Sequence, residues 1–362
     1  MGPLHARALL TSLAVTGSLA AALAACAAGS GPGGPSGSAS GGAGGQGVGG
    51  AGGAGLEGGG GAINLGGSGG SDTPIELYVH TNTTLFRADP AVMPFSLQQL
   101  GAFDCLGGDG QDTSMTDLAV SETGELWAVS KNKIYRLEVA DGVAHCADEL
   151  TLDKPDEVVF FGLAFAPKGV LADDREVLVA GNTAGELWAV AEDGTLEQRG
   201  TLGVVPTTDG HGHVYAFPSV PWELSGDLIF LANDGDPIGF ATVRDCPSPP
   251  SEQGCSTIDT LLELDLGDMK TATTGPVAKV VRGALVEAPG CAIAGPGQFG
   301  RVYGIAAYQG AVLGFARSED GATGYAVSIS NQDGSTCVLD TYESVLWAGA
   351  GITTVAPVLP PN

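Results

Sequence analysis

Seven Asp-Gly dipeptides, at Asp109, Asp141, Asp193, Asp209, Asp234, Asp320 and Asp333, punctuate the chain beyond residue 100. Asp-Gly supplies the φ > 0 positions that tight hairpins need. Between these pairs lie short runs rich in Val, Ile, Leu, Tyr, Phe and Trp. No stretch of ten residues carries a helical stripe, and Pro94 interrupts the best candidate, residues 91–100. A chain divided in this way is expected to be all-β.

The strands also repeat. Gly124-Glu125-Leu126-Trp127-Ala128-Val129 recurs letter for letter at residues 185–190, with looser copies at 76–79 and 227–230. A second set of apolar runs, at 115–120, 160–166, 213–220 and 301–308, starts at intervals of 45, 53 and 88 residues. The last interval is swollen by a Pro/Ser/Cys-rich insertion near 245–256. Irregular repeats of about 40–50 residues, each with three or four strands, resemble β-propeller blades. The resemblance implies a ring of about five blades, with six as the alternative count, and makes the second set the inner strands. Residues 350–357 look like an inner strand without a blade of its own. They are expected to close the ring by joining the N-terminal strands around Leu77 and Leu85. A β-sandwich or a solenoid is the competing fold.

The first 71 residues have a different character. Arg7 precedes an uncharged, Ala/Leu-rich run at 8–25, the pattern of a secretory leader. Eighteen apolar residues also approach the length of a membrane span. The sequence that follows, Leu23-Ala24-Ala25-Cys26, resembles the bacterial lipobox. That resemblance implies cleavage before Cys26 and acylation of its sulfur, so the partner of this end is the lipid bilayer. Two or three acyl chains anchor stably where one does not. Ala27, in place of the Asp that retains such proteins at the inner membrane, implies the outer membrane of a two-membrane bacterium.

Residues 27–71 are about half Gly, with Glu57 the only charge. Such a segment cannot bury enough apolar surface to offset its ordering entropy, and it reads as a disordered tether. As a Gly-rich coil it would span about 35–40 Å. The expected organisation is therefore a leader at 1–25, the lipidated Cys26 and tether at 26–71, and one β domain at 72–362.

The whole chain carries 15 Lys+Arg against 41 Asp+Glu, a net charge of −26. Such a surface repels nucleic acid and favours solubility or divalent cations such as calcium. After Cys26, six cysteines remain: Cys105, Cys146, Cys246, Cys255, Cys291 and Cys337. An even number in an exported chain argues for three disulfides, paired between sequence neighbours, with Cys246–Cys255 stapling the insertion.

Candidate chemistry is sparse. Asp209-Gly210-His211-Gly212-His213 places a carboxylate and two imidazoles in five residues, a metal-ligating set or a polar loop at the channel mouth. Asn233-Asp234-Gly235-Asp236 offers oxygen ligands with a Gly in the turn but lacks an EF-hand frame, so Asp234 and Asp236 suit either a cation or an acidic turn. Asp112 and Asp117 suit either the channel wall or a turn cap. Gly295-Pro296-Gly297-Gln298-Phe299-Gly300 has the letters of a dinucleotide loop, but an apolar strand follows where a helix must begin. Trp222, after Pro221, is the tryptophan expected to expose its ring. Two function classes remain open. One is a non-catalytic surface module for a protein or glycan. The other resembles metal-dependent lactonases or sugar dehydrogenases and would converge three or four Asp, Glu, Asn or His side chains on one channel mouth.

Overall fold

The computed structural model describes residues 75–108, 112–154, 158–249, 254–271 and 274–357. The leader-like run, Cys26, the Gly-rich segment and the first Asp-Gly pair, at Asp109, lie outside it. Four of the other pairs build hairpin turns as their chemistry requires. Gly142, Gly194, Gly321 and Gly334 take φ of 77°, 84°, 68° and 73°.

Among the described residues the strands form five blades. Blade one holds β1 (Leu77–Thr81), β2 (Thr84–Ala88) and β3 (Gln98–Phe103). Blade two holds β4 (Met115–Val120), β5 (Leu126–Ser130), β6 (Lys133–Ala140) and β7 (Val143–Thr151). Blade three holds β8 (Phe160–Ala166), β9 (Val177–Asn182), β10 (Glu186–Val190) and β11 (Leu196–Thr201). Blade four holds β12 (Glu223–Leu231), β13 (Ile238–Arg244), β14 (Thr260–Leu264), a short helix α1 (Leu266–Thr271) and β15 (Ala278–Ala284). Blade five holds β16 (Val302–Tyr308), β17 (Ala311–Arg317), β18 (Thr323–Ile329) and β19 (Thr336–Glu343).

The last strand, β20 (Trp347–Ile352), returns to blade one and pairs antiparallel with β1, Leu77 opposite Ile352 and Val79 opposite Ala350. It is the innermost strand of that blade. The inner strands β20, β4, β8, β12 and β16 then touch in a closed cycle. Closure by the C-terminal strand holds as the repeat implied, but the strand sits a few residues earlier than 350–357. It meets the strand of Leu77 alone, because Leu85 lies on β2, one strand further out.

Inner strands are covered on both faces, so alternation disappears and nearly every residue is buried. All nine residues of β12 are buried, including Glu223, Ser225 and Asp227. This corrects one expected inner strand: residues 213–220 form part of the loop before β12. Tyr215 and Trp222 anchor that loop, their rings packed edge to face at 5.0 Å. Trp222 is 1% exposed, against the expectation of an open ring. Both copies of the repeated hexapeptide form strands, at different places in their blades. The first copy makes the second strand of blade two and the second copy the third strand of blade three.

Apolar side chains pack between neighbouring blades, and polar ones stitch the inner strands together. Asp117 Oδ2 accepts Leu163 N–H at 2.6 Å, Asp227 Oδ2 accepts Ile305 N–H at 2.6 Å, and Asp259 Oδ2 accepts Val302 N–H at 2.7 Å. Each carboxyl thus holds the inner strand of the next blade. Blades one and two also join at their outer edges, where β3 pairs in parallel with β7. Gly101 permits this, since a Cβ there would stand 2.3 Å from the Gly142 carbonyl oxygen. The disulfide Cys105–Cys146 fastens the same edge, Cys246–Cys255 staples the insertion, and Cys291–Cys337 ties the loop before blade five to β19.

Candidate functional site

The inner strands all start at one end of the channel, and the second strand of every blade ends there. Asn82 follows β1, Lys131 follows β5 and Thr183 follows β9, while Arg244 ends β13 and Arg317 ends β17. These five equivalent positions form the rim of a basin of about 780 Å³. The inner strands supply its walls through Thr116, Glu223, Ser225 and Ala348, with Arg301 and Tyr303 at the start of β16. A size of this order suits a small molecule.

The charge of the basin is opposite to that of the protein. Lys131, Arg244, Arg301 and Arg317 line it against the single carboxylate of Glu223. Glu223 is already engaged, accepting Arg244 Nε–H at 3.0 Å. Arg317 has no carboxylate within 4.0 Å among the described residues. Its Nε–H donates to the Trp347 carbonyl, its Nη2–H donates to Asn82 Oδ1 at 3.0 Å, and its Cζ lies 4.6 Å from the centre of the Tyr303 ring. Burial, with Arg301 nearby, holds the Arg317 guanidinium below its usual pKa. Arg301 is exposed and donates only to the backbone oxygen of Glu319, at 3.0 Å. Its φ is 55°, a left-handed conformation that costs a non-glycine residue about 1 kcal/mol or more. A second cavity of about 750 Å³, lined in part by Asp259 and Glu319, shares Arg244, Arg301 and Arg317 with the basin.

Deeper in the channel sit three buried titratable side chains. His80 Nδ1–H donates to the Thr81 carbonyl at 2.8 Å, and burial pushes the imidazole down to about 4, so Nε2 is a bare acceptor near neutral pH. Burial and the charge of Asp227 push Asp117 well above the usual carboxylate range. Burial also raises Asp227, and the nearby charge of Asp227 adds to the rise at Asp117, so the pair favours holding a proton. Among the described residues, neither His80 Nε2 nor Asp117 Oδ1 meets an N–H or O–H donor. Between them passes Gly349, where a Cβ would stand 2.2 Å from His80 Nε2 and 2.5 Å from Asp117 Oδ1. Further along the inner strands Leu118, Leu163 and Leu228 line a separate cavity of only about 10 Å³.

The residues singled out in the sequence are scattered. Asp209 Oδ1 accepts the backbone N–H groups of His211 (2.8 Å) and His213 (3.0 Å), while Oδ2 accepts that of Ala284 (3.2 Å). The carboxylate therefore organises its own loop, and the His213 ring stacks edge-on against Tyr215 at 4.9 Å. Among the described residues, Asp209, His211 and His213 do not bring their ligand atoms within 4.8 Å of one another. Asp234 and Asp236 follow β12 whereas Asp209 precedes it, so nine residues of strand separate the two groups. The side chain of Asp234 lies outside the described part.

Asp112 and Asp117 divide between their two readings. Asp112 caps the β5–β6 turn by accepting Ser130 Oγ–H and the N–H groups of Asn132, and Asp117 enters the channel. Two groups of three potential ligands do converge, Asp104 with Cys105 and Cys146, and Glu223 with Cys246 and Cys255. In both the sulfurs are bonded to each other, so no thiolate is on offer. The rim arginines escaped the sequence reading because they lie far apart in the chain. One signal was present: Arg244 and Arg317 end equivalent strands of successive blades.

Five four-stranded blades around a channel, closed by strands from both ends of the domain, define a five-bladed β-propeller. No protein-family model matches the chain, and no curated protein matches it as a relative. Among solved structures it is similar to a protein of unknown function from Bacteroides caccae, at 11% identity and a TM-score of 0.40, over 77% of this chain and 99% of that one. It is similar to the periplasmic gluconolactonase of Pseudomonas aeruginosa, at 12% identity and a TM-score of 0.34, over 77% of this chain and 98% of that one. It is similar to virginiamycin B lyase from Staphylococcus aureus, at 13% identity and a TM-score of 0.31, over 74% and 66% of the two chains.

Proposed function

We propose that this protein is a lipid-anchored binding module of the bacterial cell envelope, held by acylated Cys26 and a Gly-rich tether, whose propeller takes a small ligand at the rim of its channel. The observation behind this reading is the basin of about 780 Å³, rimmed by one residue from each blade. A scaffold of paired strands and three disulfides presents those side chains from rigid positions, which lowers the entropy cost of binding. The lactonase-like alternative needs several free oxygen or nitrogen ligands at the mouth. There, among the described residues, Glu223 is bonded to Arg244 and Asn82 to Arg317.

The reading is tested by ligand-detected NMR of the purified full chain with a mixture of small polar metabolites, in parallel with Thr183→Trp. Thr183 sits half-exposed on the rim, and an indole there fills part of the basin. Signals that the wild type broadens and the variant leaves sharp are expected. Binding that is identical in both proteins places the ligand elsewhere and refutes the channel-mouth assignment.

A further inference from the structure

Resting on the channel-mouth reading, we propose that the basin recognises the carboxylate of a small polyhydroxylated organic acid, with Arg301 and Arg317 as its receptors. Three independent features converge on that chemistry.

The first is the concentration of charge. A chain with only 15 Lys+Arg and a net charge of −26 directs four cationic side chains into one basin. Most of the described cations elsewhere are ion-paired, as Arg136 is with Asp148 and Lys133 with Glu149. The second is the state of Arg317. A half-buried guanidinium ordinarily has a carboxylate partner, because an uncompensated charge is costly to desolvate. Here its protein acceptors are a carbonyl and an amide, both neutral, and Tyr303 covers one face. A ligand carboxylate would supply the missing charge, and the planar guanidinium matches it geometrically. The third is Arg301, which adopts φ of 55° at the mouth, beside Gly300, where any Cβ would stand 2.1 Å from the Thr257 carbonyl oxygen. Strained backbone that aims a side chain at a cavity is a common mark of a binding residue.

The remainder of the wall gives the rest of the ligand. Thr183 and the Tyr303 hydroxyl suit hydroxyl groups as donors or acceptors, while Thr116 and Ser225, whose hydroxyl hydrogens go to backbone carbonyls and to Asp259, offer acceptor lone pairs only. Arg244 is neutralised by Glu223 and serves as wall. Lys131, exposed and without an ion pair among the described residues, draws anions to the mouth.

Isothermal titration of the purified full chain tests this with four probes: D-glucuronate, succinate, D-glucose and inorganic phosphate. Glucuronate and glucose differ at one carbon, carboxylate against hydroxymethyl. The expected order places glucuronate at least tenfold tighter than glucose, weakening as salt is raised. Arg301→Gln and Arg317→Gln are each expected to weaken glucuronate at least tenfold. Arg317 also bridges blades five and one, so its variant is checked for folding by circular dichroism. Arg301, exposed and bonded only to a backbone oxygen, keeps the test decisive if Arg317→Gln misfolds.

Equal binding of glucose and glucuronate, abolished by Thr183→Trp, overturns the carboxylate assignment and leaves the channel-mouth reading standing. Glucuronate binding that ignores Arg301→Gln and Thr183→Trp alike overturns both. Phosphate binding tighter than either carboxylate transfers the site to a different anion and overturns the proposal, as does the failure of both carboxylates to bind.

Discussion

Replacing Asp117 by Asn should flatten the pH dependence of stability. In the folded protein burial raises both Asp117 and Asp227, so their pair keeps a proton that the unfolded chain releases near pH 4. A group whose folded pKa is raised contributes stability that is complete below the unfolded pKa and is lost as pH rises towards the folded one. While the pair holds one extra proton, each pH unit removes up to about 1.4 kcal/mol. Between pH 5 and pH 7 the wild type therefore loses up to about 3 kcal/mol from this source. Asn still offers an oxygen to Leu163 N–H but takes up no proton, so the share of the cost that belongs to Asp117 disappears while burial still raises Asp227.

The acidic surface acts on both proteins almost equally. So do the carboxylates of Asp104, Asp193, Asp320 and Asp333, whose lowered pKa makes their contribution vanish only in acid. The difference between variant and wild type thus isolates the buried pair. Urea unfolding of both at pH 5, 6 and 7 measures it, and the variant should gain on the wild type by about 2–3 kcal/mol across that range. A difference that stays constant within about 0.5 kcal/mol would refute the retained proton.

Deleting residues 347–357 removes β20, and the burial of Trp347 and Ile352 alone is worth about 5 kcal/mol or more. That is comparable with the stability of a whole domain, so the truncated chain should lose cooperative melting in circular dichroism. Gly349→Ala should cost at least about 2 kcal/mol in urea unfolding, because its Cβ has no room between His80 and Asp117. Thiol labelling of the denatured, unreduced mature domain should give essentially no signal, and stoichiometric labelling would contradict the three disulfides. Cys26→Ser should move the protein from the membrane to the soluble fraction in cell fractionation while the propeller still melts as the wild type does; retention under high-salt washing would exclude the lipid anchor.

The parts of the fold legible in the sequence are those with local causes. Asp-Gly turns and the Cys246–Cys255 staple depend on residues close together in the chain, and the closing strand followed from the period of the strands, which is itself a pattern of the sequence. What escaped depends on the ring. β12 was legible only over 227–230 because Glu223, Ser225 and Asp227 interrupt its apolar run, and those residues are tolerated inside because they bond to Arg244, Asp259 and Ile305. The repeated hexapeptide serves as a second strand in one blade and a third in another because the two positions are buried in nearly the same way, so one sequence satisfies both. The basin was invisible because Asn82, Lys131, Thr183, Arg244 and Arg317 become neighbours only when five blades close.

The register of the closing strand also settles where a mechanical load would act. Leu77 pairs with Ile352, and the chain reaches Asn82 and the basin only at the other end of β1. The C-terminal side leaves by the same face as the N-terminal side, since Pro357 O accepts the N–H of Gln309 in the turn beyond β16. Both ends of the described domain therefore exit at the face opposite the arginines. A pull on β1 from its N-terminal side acts at the far face, along a strand hydrogen-bonded on both sides and away from the mouth.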